Sequence, residues 1–177
     1  MKKTLIAASL FALTGSAFAV DGTIQFTGAF TDAPCEINID GTTTNATSSV
    51  NVALDTWNAA NFKDNVGATT DLKPITISLS GCPDMTKANI KFNGATDAIN
   101  PSLFATQTGA NTATNVGIAL YSSANNADII TPNSRSLSIP LTAQSGQYTF
   151  YASYMTTGAT VGQGAANADV TMDISYE

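Results

Sequence analysis

Short runs of alternating apolar and polar residues dominate the chain, and no long stretch shows the period of an amphipathic helix. The six clearest runs are Thr23–Thr31, Ile75–Leu79, Ile90–Phe92, Val116–Leu120, Tyr148–Tyr154 and Val170–Tyr176. Turn-forming residues separate them, at Asp40-Gly41, Cys82-Pro83-Asp84, Asn93-Gly94, Asn100-Pro101, Thr131-Pro132-Asn133 and Ser145-Gly146. Regularly spaced strands of this kind predict an all-β fold, an antiparallel β-sandwich in a single domain.

Two stretches depart from this alternation. Residues Asp55–Lys63 favour a short helix or an irregular crossing between strands. The Thr-, Ser- and Asn-rich stretch Thr42–Ser49 is typical of a mobile loop.

The first nineteen residues have the pattern of a secretory signal peptide. Lys2 and Lys3 form a basic start, Leu5–Leu13 supplies an apolar stretch too short to span a bilayer, and Ala17-Phe18-Ala19 is a small-x-small cleavage site. We therefore expect residues 1–19 to be removed on export, so that the mature chain begins at Val20.

The two ends of the mature chain each carry an apolar and a polar edge, because side chains alternate between the faces of a strand. Near the start, Ile24, Phe26, Gly28 and Phe30 share one parity. At the end, Val170, Met172, Ile174 and Tyr176 do the same. Periodicity alone leaves both runs open to a simple interpretation, as ordinary strands that pack within their own domain.

Charge and composition exclude several classes of function. Without Lys2 and Lys3, the seven basic residues become five against 13 acidic ones, a formal charge of −8, and the five are scattered. Nucleic acid is therefore a poor partner, because neutralising phosphates requires clustered Lys and Arg. Histidine is absent, which removes the usual catalytic triads and the commonest metal ligand. We expect no catalytic residue, no metal and no cofactor.

Cys35 and Cys82 are the only cysteines. In an exported chain they reach an oxidising compartment, so a disulfide between them is the default expectation. Such a bridge closes a loop of nearly fifty residues. In the chain-entropy treatment, closing this loop stabilises the fold by about 4 kcal/mol.

Six ordered motifs resemble subunits of chaperone–usher pili, in particular the type 1 fimbrial group. The first is Gly22-Thr23-Ile24-Gln25-Phe26-Thr27-Gly28, which precedes Cys35. The others are Ser78-Leu79-Ser80-Gly81-Cys82, Ile90-Lys91-Phe92-Asn93-Gly94-Ala95, Ala113-Thr114-Asn115-Val116-Gly117-Ile118, the run from Phe150-Tyr151-Ala152-Ser153-Tyr154 to Ala166-Asn167-Ala168, and a last strand with penultimate Tyr176. The similarity extends over essentially the whole mature chain.

The resemblance implies an immunoglobulin-like sandwich that lacks its last strand. In this family a periplasmic chaperone fills the resulting groove until, at the outer-membrane usher, the N-terminal extension of the next subunit replaces it. The implied donor positions are Ile24, Phe26, Gly28 and Phe30, within a donor extension over residues 20–32. The implied acceptor and chaperone-binding strand carries Val170, Met172, Ile174 and Tyr176, within a pilin domain over residues 33–177.

The resemblance thus predicts a non-enzymatic structural subunit of an adhesive fimbrium, exported through the periplasm to the cell surface. Its partners would be neighbouring subunits in a homo- or heteropolymer, a chaperone and an usher. In the expected mature chain, only Val20 and Asp21 precede Gly22. Minor tip adaptors and some short-armed shaft subunits are similar in this respect, so a place at the tip and a place in the shaft both stay open. The alternative from the residues is a self-complete secreted binding module whose N-terminal strand pairs within its own sandwich.

Overall fold

A computed structural model describes residues 35–44, 49–134 and 137–177 of the chain. The expected signal peptide and donor extension lie outside these residues. Nine strands and one 3-10 turn occur in the described part. The strands are β1 (Glu36–Ile39), β2 (Thr42–Thr44), β3 (Lys73–Ser80), β4 (Lys87–Asn93), β5 (Phe104–Ala105), β6 (Val116–Tyr121), β7 (Leu137–Pro140), β8 (Gly146–Thr156) and β9 (Thr171–Tyr176), and the 3-10 turn is Ala59–Phe62.

The strands form two sheets, and every strand pairing is antiparallel. The larger sheet has the order β2-β1-β3-β8-β6-β5, and the smaller has the order β7-β4-β9. An immunoglobulin constant domain places strands A, B, E and D in one sheet and C, F and G in the other. In the order in which they lie in the larger sheet, β1, β3, β8 and β6 correspond to A, B, E and D. In the smaller sheet, β4 and β9 correspond to C and F. The predicted antiparallel sandwich is confirmed.

Alternation along the central strands builds the main core between the sheets. In β3, Ile75, Ile77 and Leu79 are buried, whereas the residues between them are partly or fully exposed. Across the core, the rings of Phe92 and Phe150 pack with their centroids 4.9 Å apart. Period-2 patterning in the sequence therefore specifies which face of each strand is apolar, because a one-residue slip would expose that face.

A second, smaller apolar cluster covers the outer face of the larger sheet where β6 and β8 pair. It consists of Leu103, Ala119 and Tyr121, with Leu72, Ile129, Tyr151 and Met155 packed against it. A Cβ on Gly117 would lie only 3.0 Å from Leu103, so glycine allows this covering loop to approach the strand closely. Burial raises the pKa of the Tyr121 phenol above its usual range.

The structure corrects the expected loop at Thr42–Ser49. Residues Thr42–Thr44 form β2, which pairs with β1 through the predicted Asp40-Gly41 turn. Both turn residues have positive φ, 48° and 84°, as the tight hairpin with the right-handed strand twist requires. Thr-rich sequence favours a strand once a partner is present, so polarity alone was a poor guide here. Residues 45–48 of this stretch lie outside the described part of the chain.

One further local prediction changes in the structure, and another is confirmed. The turn expected at Ser145-Gly146 is centred on Ala143-Gln144, and Gly146 instead begins β8. The stretch Asp55–Lys63 is largely an irregular crossing that contains the single 3-10 turn, which Asn58 caps by accepting a hydrogen bond from the Ala60 amide. The described residues include no helix with the length and apolar character needed to cross a membrane.

Leu79 tests how far the main core depends on this alternation. It is 2 % exposed and faces inward from β3. We expect Leu79→Ala to lower the free energy of unfolding by about 2–5 kcal/mol, through lost burial and a residual cavity. Ser78→Ala, on the opposite face of the same strand, should change it by no more than about 0.5 kcal/mol. Urea unfolding followed by Trp57 fluorescence measures both, and equal effects would contradict the assigned faces.

Candidate functional site

The last strand, β9, presents an incompletely covered apolar face. Its residues Met172, Ile174 and Tyr176 are half-buried, whereas the residues that alternate with them are exposed. They lie opposite Phe92, Ile90 and Ala88 of β4, which are at most 6 % exposed. The outermost row of the main core is therefore open to solvent on the β9 side.

The backbone of β9 is open on the same side. At the end of the ladder, the Glu177 amide donates to the Lys87 carbonyl at 2.9 Å and the Lys87 amide donates to the Glu177 carbonyl at 3.0 Å. Hydrogen-bonding direction alternates along an antiparallel strand. The backbone groups of Met172, Ile174 and Tyr176 therefore point away from β4. Within the described residues, β9 is the last strand of its sheet and no strand pairs with this outer edge.

A second extended segment, Val50–Leu54, packs on the same core but belongs to neither sheet. Val50, Val52 and Leu54 are half-buried and alternate with exposed residues, as in a strand. Val52 and Leu54 pack against the cluster that also holds Ile174. The sequence analysis did not single out this segment, although its Val-Asn-Val-Ala-Leu alternation was a usable signal.

A cavity of about 470 Å³ lies among residues 55–62, the ends of β6 and β8, and residues 161–167, which precede β9. Trp57 and Phe62 form part of its wall, with their rings edge to face at 6.4 Å. The Trp57 indole donates to the Leu54 carbonyl at 2.8 Å, and the Tyr154 hydroxyl donates to the Ala166 carbonyl at 3.0 Å. These two hydrogen bonds fix the segments on either side of the cavity.

At the other end of β9, the first described residue is held by a disulfide and by a hydrogen bond to Tyr176. Cys35 is joined to Cys82, with the Cα atoms 4.2 Å apart. The Cys35 amide donates to the Tyr176 hydroxyl at 3.3 Å. The start of the domain is thereby attached to the end of the acceptor-strand candidate.

The solvent face of β9 has its own polar contacts. Lys87 Nζ lies 2.7 Å from Glu177 Oε2, and the Asn89 amide donates to the other Glu177 oxygen at 2.7 Å. The hydrogen bond and positive charge of Lys87 hold the pKa of the Glu177 carboxyl below its usual range. Asn93 contacts Asp173 in the same way. Among the described residues, no group of three or more carboxylates or cysteines could bind a metal ion.

The residues expected in the acceptor strand come together only in part. Met172, Ile174 and Tyr176 share the open apolar face, whereas Val170 precedes the strand and is 36 % exposed. The donor positions Ile24, Phe26, Gly28 and Phe30 lie outside the described residues.

Comparison with known proteins gives a consistent family match. The family described as fimbrial protein matches residues 24–177. The chain is 35 % identical to the probable major fimbrial subunit LpfA of Escherichia coli O157:H7, over all of this chain and 98 % of that one. It is 36 % identical to long polar fimbria protein A of Salmonella typhimurium, with the same coverage of both chains.

Solved structures agree with the sequence match. A Burkholderia pseudomallei antigen and type I fimbria protein is 35 % identical, with a TM-score of 0.57 over 88 % of this chain and 97 % of that one. The P pilus rod subunit PapA has a TM-score of 0.61 over 82 % of this chain and all of its own, at 14 % identity. The second likeness shows the fold alone.

The Lys87–Glu177 contact predicts a specific titration. In Lys87→Met we expect the pKa of the Glu177 carboxyl to rise toward its ordinary value, since the donor and the positive charge are lost. In Lys91→Met, four residues further along β4 and opposite Asp173, the pKa of the Glu177 carboxyl should stay depressed. Carboxyl ¹³C NMR titration measures this. A lowered pKa favours the folded state above the ordinary carboxyl range, and this contribution is lost as the pH falls through the lowered value. Equal shifts in both variants would indicate long-range charge rather than contact.

Proposed function

The chain belongs to the fimbrial protein family, and we propose that it polymerises by strand addition. The N-terminal strand of one subunit adds to the open edge of β9 in the next subunit. Members of this family are structural subunits, not enzymes. The protein polymerises with other subunits and is a building block of a surface fimbrium. The observation that carries the proposal is the coincidence, on β9, of a half-covered apolar row and a backbone edge with which no strand of residues 35–44, 49–134 and 137–177 pairs.

An added strand satisfies both deficiencies at once. Its backbone pairs with the outward-facing groups of Met172, Ile174 and Tyr176, and its alternate side chains cover the exposed core, which is the β-augmentation mode of recognition. The segment over residues 20–32 supplies such side chains in Ile24, Phe26 and Phe30. Each contributes about 1.5–3 kcal/mol on burial, before the cost of ordering the segment.

The second boundary of the acceptor groove is the segment Val50–Leu54. It packs on the same core as β9 and lies outside both sheets. Among the described residues its backbone pairs with no strand, although the Leu54 carbonyl accepts from Trp57, so the segment can face the other edge of an inserted strand. In an immunoglobulin-like sandwich the strand beyond F runs antiparallel to it. The C-terminal end of the donor then lies near the start of β9, beside the cavity lined by Trp57 and Phe62. Phe30 is the donor side chain nearest to that cavity.

Before assembly the open groove is an aggregation hazard, because it exposes a sheet edge and core side chains together. We therefore propose that a periplasmic chaperone covers Met172, Ile174 and Tyr176 until an outer-membrane usher exchanges it for a donor strand. In this scheme residues 1–19 direct export through the inner membrane, residues 20–32 form the donor extension, and residues 33–177 form the pilin domain. The name of one relative, a probable major fimbrial subunit, favours a place in the fibre shaft.

Deleting Val20–Thr31 from the mature chain separates donation from acceptance. We expect the truncated subunit to bind its chaperone and to accept a synthetic Val20–Asp32 peptide, because the groove is intact. It should not extend a fibre from its own N-terminus. Native gel electrophoresis of chaperone-bound and peptide-bound forms measures both properties. If the truncated subunit fails to fold with its chaperone, the N-terminal strand belongs to its own core, and the self-complete alternative is preferred.

Gly28 provides a sharper test of the donor strand. A glycine among apolar positions of a strand often marks a close backbone approach, so a large side chain there should clash with the groove and displace Phe26 and Phe30. Overpacking of this kind costs about 1–3 kcal/mol. We expect a Gly28→Leu version of the Val20–Asp32 peptide to exchange into a chaperone-bound subunit more slowly, by about 5- to 150-fold, and to form a less stable complex.

The matched control is Ala29→Leu in the same peptide, since residue 29 has the opposite parity and faces away from the groove. It should exchange at close to the wild-type rate. Peptide exchange is followed by the loss of chaperone from the complex on a sizing column. Equal rates for the wild-type and Gly28→Leu peptides would defeat the role proposed for Gly28.

A further inference from the structure

The N-terminal segment of each subunit joins the described domain at a covalently bridged residue. Cys35 is the first residue of the described domain and the one immediately before β1. Its disulfide partner, Cys82, lies between β3 and β4, five residues before Lys87. Two covalent routes therefore lead from Cys35 into β4. One follows the backbone through residues 36–81, and the other crosses the disulfide and is far shorter.

The short route ends where β4 is attached to β9. The amides of Thr86 and Lys87 both donate to the Glu177 carbonyl, at 2.7 and 3.0 Å, and the Glu177 amide returns a bond to Lys87. The Lys87–Glu177 ion pair and the bond between the Cys35 amide and the Tyr176 hydroxyl lie at the same place. We call this group of residues, Cys35, Cys82, Thr86, Lys87, Tyr176 and Glu177, the N-terminal corner.

We propose that the disulfide is a mechanical shunt, which carries tension along the fibre from the donor segment directly into the β4–β9 pair. This inference rests on the proposed donor-strand assembly. Tension between subunits then enters a domain at Cys35 and leaves it through the neighbour's strand on β9. The shorter covalent route becomes taut first. While the disulfide is intact, the backbone of residues 36–81, which includes β1, β2, the segment Val50–Leu54 and β3, therefore carries no tension from Cys35 to β4 and cannot be pulled out lengthwise.

The geometry of the β4–β9 pair suits this load. Six residue pairs, from Ala88 and Tyr176 to Asn93 and Thr171, join the two strands. A donor antiparallel to β9 leaves the groove at the end remote from the N-terminal corner. The load then runs parallel to the strands, so all the hydrogen bonds between them resist it together rather than opening one after another.

The shunt predicts a specific length of hidden chain. The bridged cysteines are 47 positions apart, so the closed loop contains 46 residues. At about 3.3–3.6 Å per extended residue, this loop corresponds to about 150–165 Å of extra length. None of that length can appear under tension until the disulfide is reduced.

Single-molecule pulling on one donor–acceptor pair tests the proposal. One handle is attached to the N-terminus of the mature subunit, and the other to the C-terminal end of a Val20–Asp32 peptide seated in its groove. Without reductant, we expect the pair to separate without the 150–165 Å extension. With a thiol reductant present, we expect that extension before separation, at a lower force, because tension then reaches β1 and β3.

The control is the Cys35→Ser, Cys82→Ser double variant, which should show the longer extension with or without reductant. If that variant does not fold, the wild-type pair with and without reductant is sufficient. The two cysteines are only 5 % and 3 % exposed, so thiol labelling must first show that the wild-type disulfide is reduced. A reduced pair whose extension equals that of the oxidised pair overturns the shunt and leaves donor-strand assembly intact. Failure of the peptide to form a complex at all overturns both.

Discussion

The open edge of β9 is the constraint on which the rest of the structure depends. A sandwich with strands in the places of A to F, and none described on the outer side of F, leaves backbone groups unpaired and core side chains half-covered at the same place. Either deficiency alone is tolerable at a protein surface, because water can satisfy a sheet edge and isolated apolar residues are common. Together they favour a partner in extended conformation, since only a strand meets both needs along the full length of β9.

The remainder of the domain covers the larger sheet and holds β9 by its inner edge. The larger sheet has loops packed on its outer face, which form the second apolar cluster around Tyr121. The disulfide joins the start of the domain to the β3–β4 connection. The solvent face of β9 is occupied by the Lys87–Glu177 and Asn93–Asp173 contacts, so the acceptor strand is held by β4 on its inner edge while its outer edge is available.

The chemistry of the side chains agrees with an architectural role. The chain has few charges and no histidine, and its most distinctive polar contacts are structural, such as the bond from the Cys35 amide to Tyr176. Tyr176 has two contacts of different kinds. Its ring belongs to the apolar row of the groove, and its hydroxyl accepts a hydrogen bond from the amide of Cys35, the first described residue. The penultimate aromatic residue thereby connects the acceptor strand with the point from which the proposed donor segment leaves.

The sequence by itself determined the class of fold, the faces of β3, β4, β6, β8 and β9, and the family, because each of these depends on local alternation or on ordered motifs. It could not give β2 or the wall formed by Val50–Leu54. A Thr-rich stretch becomes a strand only beside β1, and an extended segment outside both sheets is recognised only by the core that it covers. Tertiary structure alone also decided which edge of β9 is open, since that depends on the pairing of β4 with Lys87 opposite Glu177, a contact between residues ninety positions apart.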